Sequence, residues 1–149
     1  MVVVAAVERS ADEHRVVEQA AVLADRFDEP LHVVHVMTQL EFVERQQNRS
    51  DRTGRGVEMS EIRAAAKREA EAVAEEADVE TATTVGLVGD PASQIVLYAK
   101  QNAARYIVIG GQRRSGLSGA VFGRPGQKIL RKSDVPVLTV KTGRSTEDE

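Results

Sequence analysis

No cysteine occurs among the 149 residues, which excludes disulfides, thiolate catalysis and Cys-ligated zinc. Tryptophan is absent and only five residues are Phe or Tyr, so a core has to be assembled from Val, Ile, Leu and Ala. Aliphatic, β-branched cores of this kind suit a parallel sheet covered on both faces. No apolar run is long enough to cross a bilayer. The opening MVVVAAVERS carries no basic leader and is too short for a secretory signal, so the expectation is a soluble, cytoplasmic protein. Neither charge sign dominates. A formal charge of -3 gives no general drive toward nucleic acid or a membrane surface. The length is that of one ordinary domain with room for a real core.

What is present alternates along the chain. Apolar runs at Val2–Val7 and Leu31–Met37 read as buried strands. Between them Val16, Ala20, Leu23 and Phe27 recur at helical spacing, with Ser10 or Asp12 as the expected cap and Asp28-Glu29-Pro30 as the stop. The stretch from Gln39 to about Val57 is polar and reads as irregular, the expected mobile segment. Glu58–Glu76 has strong helix composition, Glu80–Val88 holds a third strand, and Gly89-Asp90-Pro91 turns into a helix running to about Asn102. Tyr106–Ile109 and Val135–Val140 supply a fourth and a fifth strand, and a polar tail follows Lys141. Strands alternating with helices imply one open α/β sheet, parallel, with helices on both faces and right-handed crossovers.

The segment from Tyr106 to Val140 carries the chemistry. The run YIVIGG is expected to end a strand at its glycine pair. A loop of small and cationic residues follows, and a short helix opens near Arg124-Pro125, where proline costs no intrahelical bond. In such βαβ units the loop and the helix N-terminus face the ligand.

This segment resembles the nucleotide loop of the universal stress protein family, whose signature is Gly, two residues, Gly, nine residues, Gly, then Ser or Thr. Gly110 and Gly123 match the first and third glycines, while Arg113 and Arg124 stand at the second glycine and the hydroxyl position. The resemblance covers nearly the whole chain, including GDPASQIVLYAKQNAARYIVIGG, LHVVHV and the closing KILRKSDVPVLTV. It implies a Rossmann-like, adenine nucleotide alpha hydrolase-like fold with five parallel strands in the order 3-2-1-4-5. It also implies ATP or another adenine nucleotide as ligand, at a site drawing on Ala6, Glu8, Val36, Ile109, Gly110, Arg113, Gly123 and Arg124. Glu8 matches an acidic position that contacts the nucleoside, and a solvated carboxylate at a strand end is the other reading. Arg113, Arg114 and Arg124, with Lys128, either replace backbone donors as phosphate ligands or serve only solubility. Homodimerisation through Val135–Val140 is the partner that the resemblance implies. Such a protein acts in stress response by binding a nucleotide, or has lost the ligand and acts through interactions. No catalytic residue or metal site is expected. The pair His32 and His35 point to opposite faces of a strand and cannot share an ion.

Overall fold

The computed structural model describes residues 1–9, 12–46, 58–113, 120–121 and 124–142. Chain order is β1 (Val2–Ala6), α1 (His14–Phe27), β2 (Leu31–Met37), α2 (Gln39–Gln46), α3 (Met59–Glu76), β3 (Thr83–Val88), α4 (Pro91–Gln101), β4 (Ala104–Arg113), β5 (Ala120–Val121), α5 (Arg124–Lys132) and β6 (Val137–Thr142). The long strands lie parallel in the order β3-β2-β1-β4-β6, which is 3-2-1-4-5 when the parallel strands alone are counted. The two-residue β5 pairs antiparallel with Gln112 and Arg113 at the end of β4.

Period-two alternation divides the apolar side chains between two layers. Val3, Ala5, Val33 and Val108 face α1 and α3, packing with Val16, Val17, Ala20, Ala70 and Ala74. Val4, Ala6, Val34, Ile107 and Ile109 face α4 and α5, packing with Ile95, Ala99 and Ile129. A smaller group of Met37, Phe42, Ile62 and Ala66 seats α2 against α3. Where α3 crosses β3 the backbones nearly touch. A Cβ on Gly86 would lie 2.2 Å from the carbonyl oxygen of Arg63 and 2.3 Å from the amide nitrogen of Lys67.

Three expectations are corrected. Gln39–Gln46 is helical rather than irregular, because Thr38 caps it: its Oγ1 accepts the N–H of Glu41 at 3.0 Å. The rest of the expected mobile segment, residues 47–57, lies outside the described residues. The glycine pair does not end β4. Gly110 and Gly111 continue the ladder opposite Val140 and Lys141, and the strand runs to Arg113. Asp12 does not cap α1 through a regular turn; it sits at φ 66°, and helix α1 starts two residues later, while Ser10 lies outside the described residues.

The opposite, amino-terminal end of the sheet is closed by a charged clasp. Arg105 donates from Nε to Glu29 Oε1 at 2.6 Å and from its Nη2 to Oε2 at 3.1 Å. Its guanidinium carbon lies 4.3 Å from the centroid of the Phe27 ring, whose other neighbour is Tyr106 at 5.9 Å. The bidentate bond holds the Glu29 carboxyl below the usual carboxylate range.

Candidate functional site

At the carboxyl ends of β1, β2 and β4 a cavity of about 210 Å³ opens between the sheet and helices α2, α4 and α5. Its floor is Ala6, Val7, Val34, Val36 and Ile109, and its walls are Pro91 and Ile95 on one side and Pro125, Gly126 and Ile129 on the other. Among the described lining residues the charged side chains are Glu8 and Glu41. Crowding by the protein around Glu8 raises its carboxyl above the ordinary value; His35 opposes this shift and the like charge of Glu41 adds to it.

Four of the residues named from the sequence, Ala6, Glu8, Val36 and Ile109, meet at this one cavity. Gly110 does not line it. Its missing side chain leaves room on the α1 face, where a Cβ would come within 2.6 Å of Glu13 Oε2, 3.0 Å of Thr142 Cγ2 and 3.2 Å of Val16 Cγ2. Arg113 and Arg124 are placed through their backbones at the end of β4 and the start of α5. Gly123 and Arg114 lie outside the described residues. Lys128, weighed as a phosphate ligand, is engaged elsewhere. Its ammonium lies 2.9 Å from Asp90 Oδ2, and the same oxygen accepts the Ser93 N–H at 3.0 Å to cap α4. These two donors hold the Asp90 carboxyl down to about 2. The pair ties α4 to α5 beside the cavity wall formed by Pro91 and Pro125.

Two residues shape the site without having been legible in advance. Glu13 is 4% exposed, and its Oε1 accepts the N–H of Glu8 at 2.8 Å, fixing the turn by which β1 leaves the sheet. Glu41 reaches the cavity because α2 exists. Its signal was present in Thr38-Gln39-Leu40-Glu41, the spacing of a capping box. The histidines separate as alternation requires. His32 Nδ1 shares a hydrogen bond of 2.6 Å with the Tyr98 hydroxyl, and burial lowers the pKa of the ring below its ordinary value. His35 is 5% exposed and bonds through Nδ1 to the Val7 carbonyl at 2.9 Å. Among the described residues no group of His, Asp or Glu is arranged to hold a metal ion, and no helix is long and apolar enough to cross a membrane.

A model of the universal stress protein family matches residues 1–141. The chain belongs to that family. A stretch of 55 residues is 42% identical to the stress response protein NhaX of Bacillus subtilis (strain 168), covering 37% of this chain and 33% of that protein. The chain therefore matches about a third of that relative's length. Solved family structures superpose over most of the chain. A universal stress protein of Archaeoglobus fulgidus is 24% identical, with a TM-score of 0.65 over 95% of this chain and 98% of that one. One from the same organism in complex with dAMP is 23% identical, with a TM-score of 0.61 over 95% and 98%. A universal stress protein in complex with cAMP is 22% identical, with a TM-score of 0.62 over 95% and 97%. At these identities the likeness is one of fold.

Proposed function

We propose that this universal stress protein is a single-domain, non-catalytic, cytoplasmic module that holds the nucleoside part of ATP or another adenine nucleotide in the cavity beneath α4 and α5. The observation that carries this reading is the convergence of Ala6, Glu8, Val36 and Ile109 on one largely apolar cavity at the sheet's carboxyl end, where open α/β sheets take their ligands. The apolar floor suits a flat base, and the Glu8 carboxylate can accept hydrogen bonds from sugar hydroxyls. Related structures carry dAMP and cAMP. Titration calorimetry with adenine nucleotides and magnesium tests the reading directly: saturable heat in the micromolar to millimolar range supports it, and a flat trace at millimolar nucleotide sinks it.

A second reading follows from β6. Among the described residues it pairs only with β4 and leaves Leu138 39% exposed. An open strand edge of this kind invites a second chain, and a two-fold pairing through Val135–Val140 would make a homodimer. On this reading the protein works in stress response as an interaction module whether or not its cavity is filled. Sedimentation equilibrium separates the two: a monomer at all concentrations removes the second reading and leaves the first standing.

A further inference from the structure

We propose that Glu13 and His35 are positioning residues of the cavity: they grip the peptide between Val7 and Glu8 from its two sides and so aim the Glu8 carboxylate at the sugar of a bound nucleoside. The inference rests on the reading of the cavity as a nucleoside site and assigns the groups that orient its polar contact.

The hydrogen bonding of the sheet gives way to side chains at this point of the chain. The Val7 N–H still bonds the Val34 carbonyl of β2 at 3.0 Å. The next two polar groups, the Val7 carbonyl and the Glu8 N–H, belong to one peptide unit, and Val7 and Glu8 both line the cavity. Side chains take both groups. Glu13, at the N-cap of α1, accepts the Glu8 N–H at Oε1 over 2.8 Å. His35 of β2 reaches the Val7 carbonyl from Nδ1 at 2.9 Å. A carbonyl oxygen only accepts, so Nδ1 carries the proton in that bond. The two groups of a trans peptide point in opposite directions within one plane. The bonds therefore hold from opposite sides, and a rotation of the plane breaks both.

Glu13 is 4% exposed and His35 5%, and among the described residues the other buried polar side chain is Thr142. Buried polar groups destabilise a fold unless they are bonded. His35 Nε2 is buried with no hydrogen-bond partner among the described residues, so the hydrogen bonding of this ring is directed to the Val7 carbonyl. Gly110 completes the arrangement. A Cβ there would lie 2.6 Å from Glu13 Oε2, so the bare backbone at that position of β4 makes room for the carboxylate.

The test is calorimetric titration with adenosine and with 2′,3′-dideoxyadenosine, which keeps the base and lacks the hydroxyls open to Glu8. The wild type is expected to bind adenosine about tenfold more tightly than the dideoxy compound. Glu13→Leu removes the acceptor and His35→Leu the donor. Each is expected to shrink the preference to about twofold or less by weakening adenosine alone. Glu13→Gln retains an acceptor and His35→Asn an N–H donor near the place of Nδ1, and each is expected to stay within about twofold of the wild-type preference. Equal losses for the two ligands, the mark of a merely structural role, overturn the proposal. So does an unchanged preference in both leucine variants, or a loss in Glu13→Gln as large as that in Glu13→Leu. Deuterium exchange of the wild-type amides decides the matter if the leucine variants do not fold. The Glu8 amide is expected to exchange as slowly as those inside β1, and rapid exchange overturns the clamp. A wild type that binds the two compounds equally overturns the Glu8 contact and the clamp but leaves a base site, whereas one that binds neither at millimolar concentration overturns the nucleoside reading as well.

Discussion

The two faces of the sheet are built by different rules. On the α1/α3 side, backbone approaches backbone, and α3 lays Ala66, Ala70 and Ala74 on the strands with Gly86 directly beneath it. On the α4/α5 side the helices stand off from the carboxyl ends of the strands, and the gap between them is the cavity. On the first face the glycines mark points with no room left, where close packing makes even one added methyl group felt. The second keeps a volume that folding alone does not require. The difference teaches where an added methyl group is costly and where it is absorbed.

That contrast is sharpest at Gly86. Gly86→Ala is expected to destabilise the chain by about 3 kcal/mol, because its Cβ would meet α3 backbone at 2.2 Å. Urea denaturation measures it, and a loss too small to resolve would show that α3 moves freely. Gly110→Ala comes next, at about 2 kcal/mol, because the new methyl meets the Glu13 carboxylate and two side-chain methyls of Thr142 and Val16. If the crowding is with Glu13, adding Glu13→Ala recovers part of the Gly110→Ala loss in a double-mutant cycle. A purely additive pair would break that link.

Smaller effects lie on the other face. Asp90→Ala removes the cap of α4 and its tie to α5, and is expected to cost about 1 kcal/mol in thermal or urea unfolding. The Asp90 carboxyl is held down to about 2 when folded, below its ordinary value of 3.8. It therefore binds a proton more readily in the unfolded chain. Its contribution is present in full above about pH 4 and disappears as pH falls toward 2, so the difference between wild type and Asp90→Ala should close across that window. Ala6→Val, which places two extra methyl groups at the cavity floor, is expected to change stability by less than about 1 kcal/mol while weakening any nucleoside binding. A loss there equal to that of Gly86→Ala would erase the distinction between the faces.

The parallel sheet and its helices were legible because their residues speak locally. Apolar runs at Val2–Val7 and Leu31–Met37 have no other use, and Asp90-Pro91 caps and opens a helix by its own chemistry. The cavity was legible only in part. Ala6, Glu8, Val36 and Ile109, which lie at or near strand ends, were named through the family resemblance, whereas Ile95, Ile129 and Pro91 reach the cavity through helix packing that no local spacing encodes. Gly110 was read as a turn glycine facing a ligand. Its real constraint is a buried carboxylate 97 residues earlier in the chain, Glu13, which becomes its neighbour only when α1 docks. Glu41 was hidden for a simpler reason: a polar segment was read by composition, and the Thr38 cap that orders it rests on a single hydroxyl.

Strand β4 has one more consequence. It leans on β1 from Ala104 to Val108 and on β6 from Ile107 to Gln112, so its two halves have different principal neighbours. Ile109, under the cavity, belongs to the half braced by the outer strand rather than by the centre of the sheet. The position of the pocket floor at Ile109 therefore depends on the outermost strand of the sheet as well as on its centre.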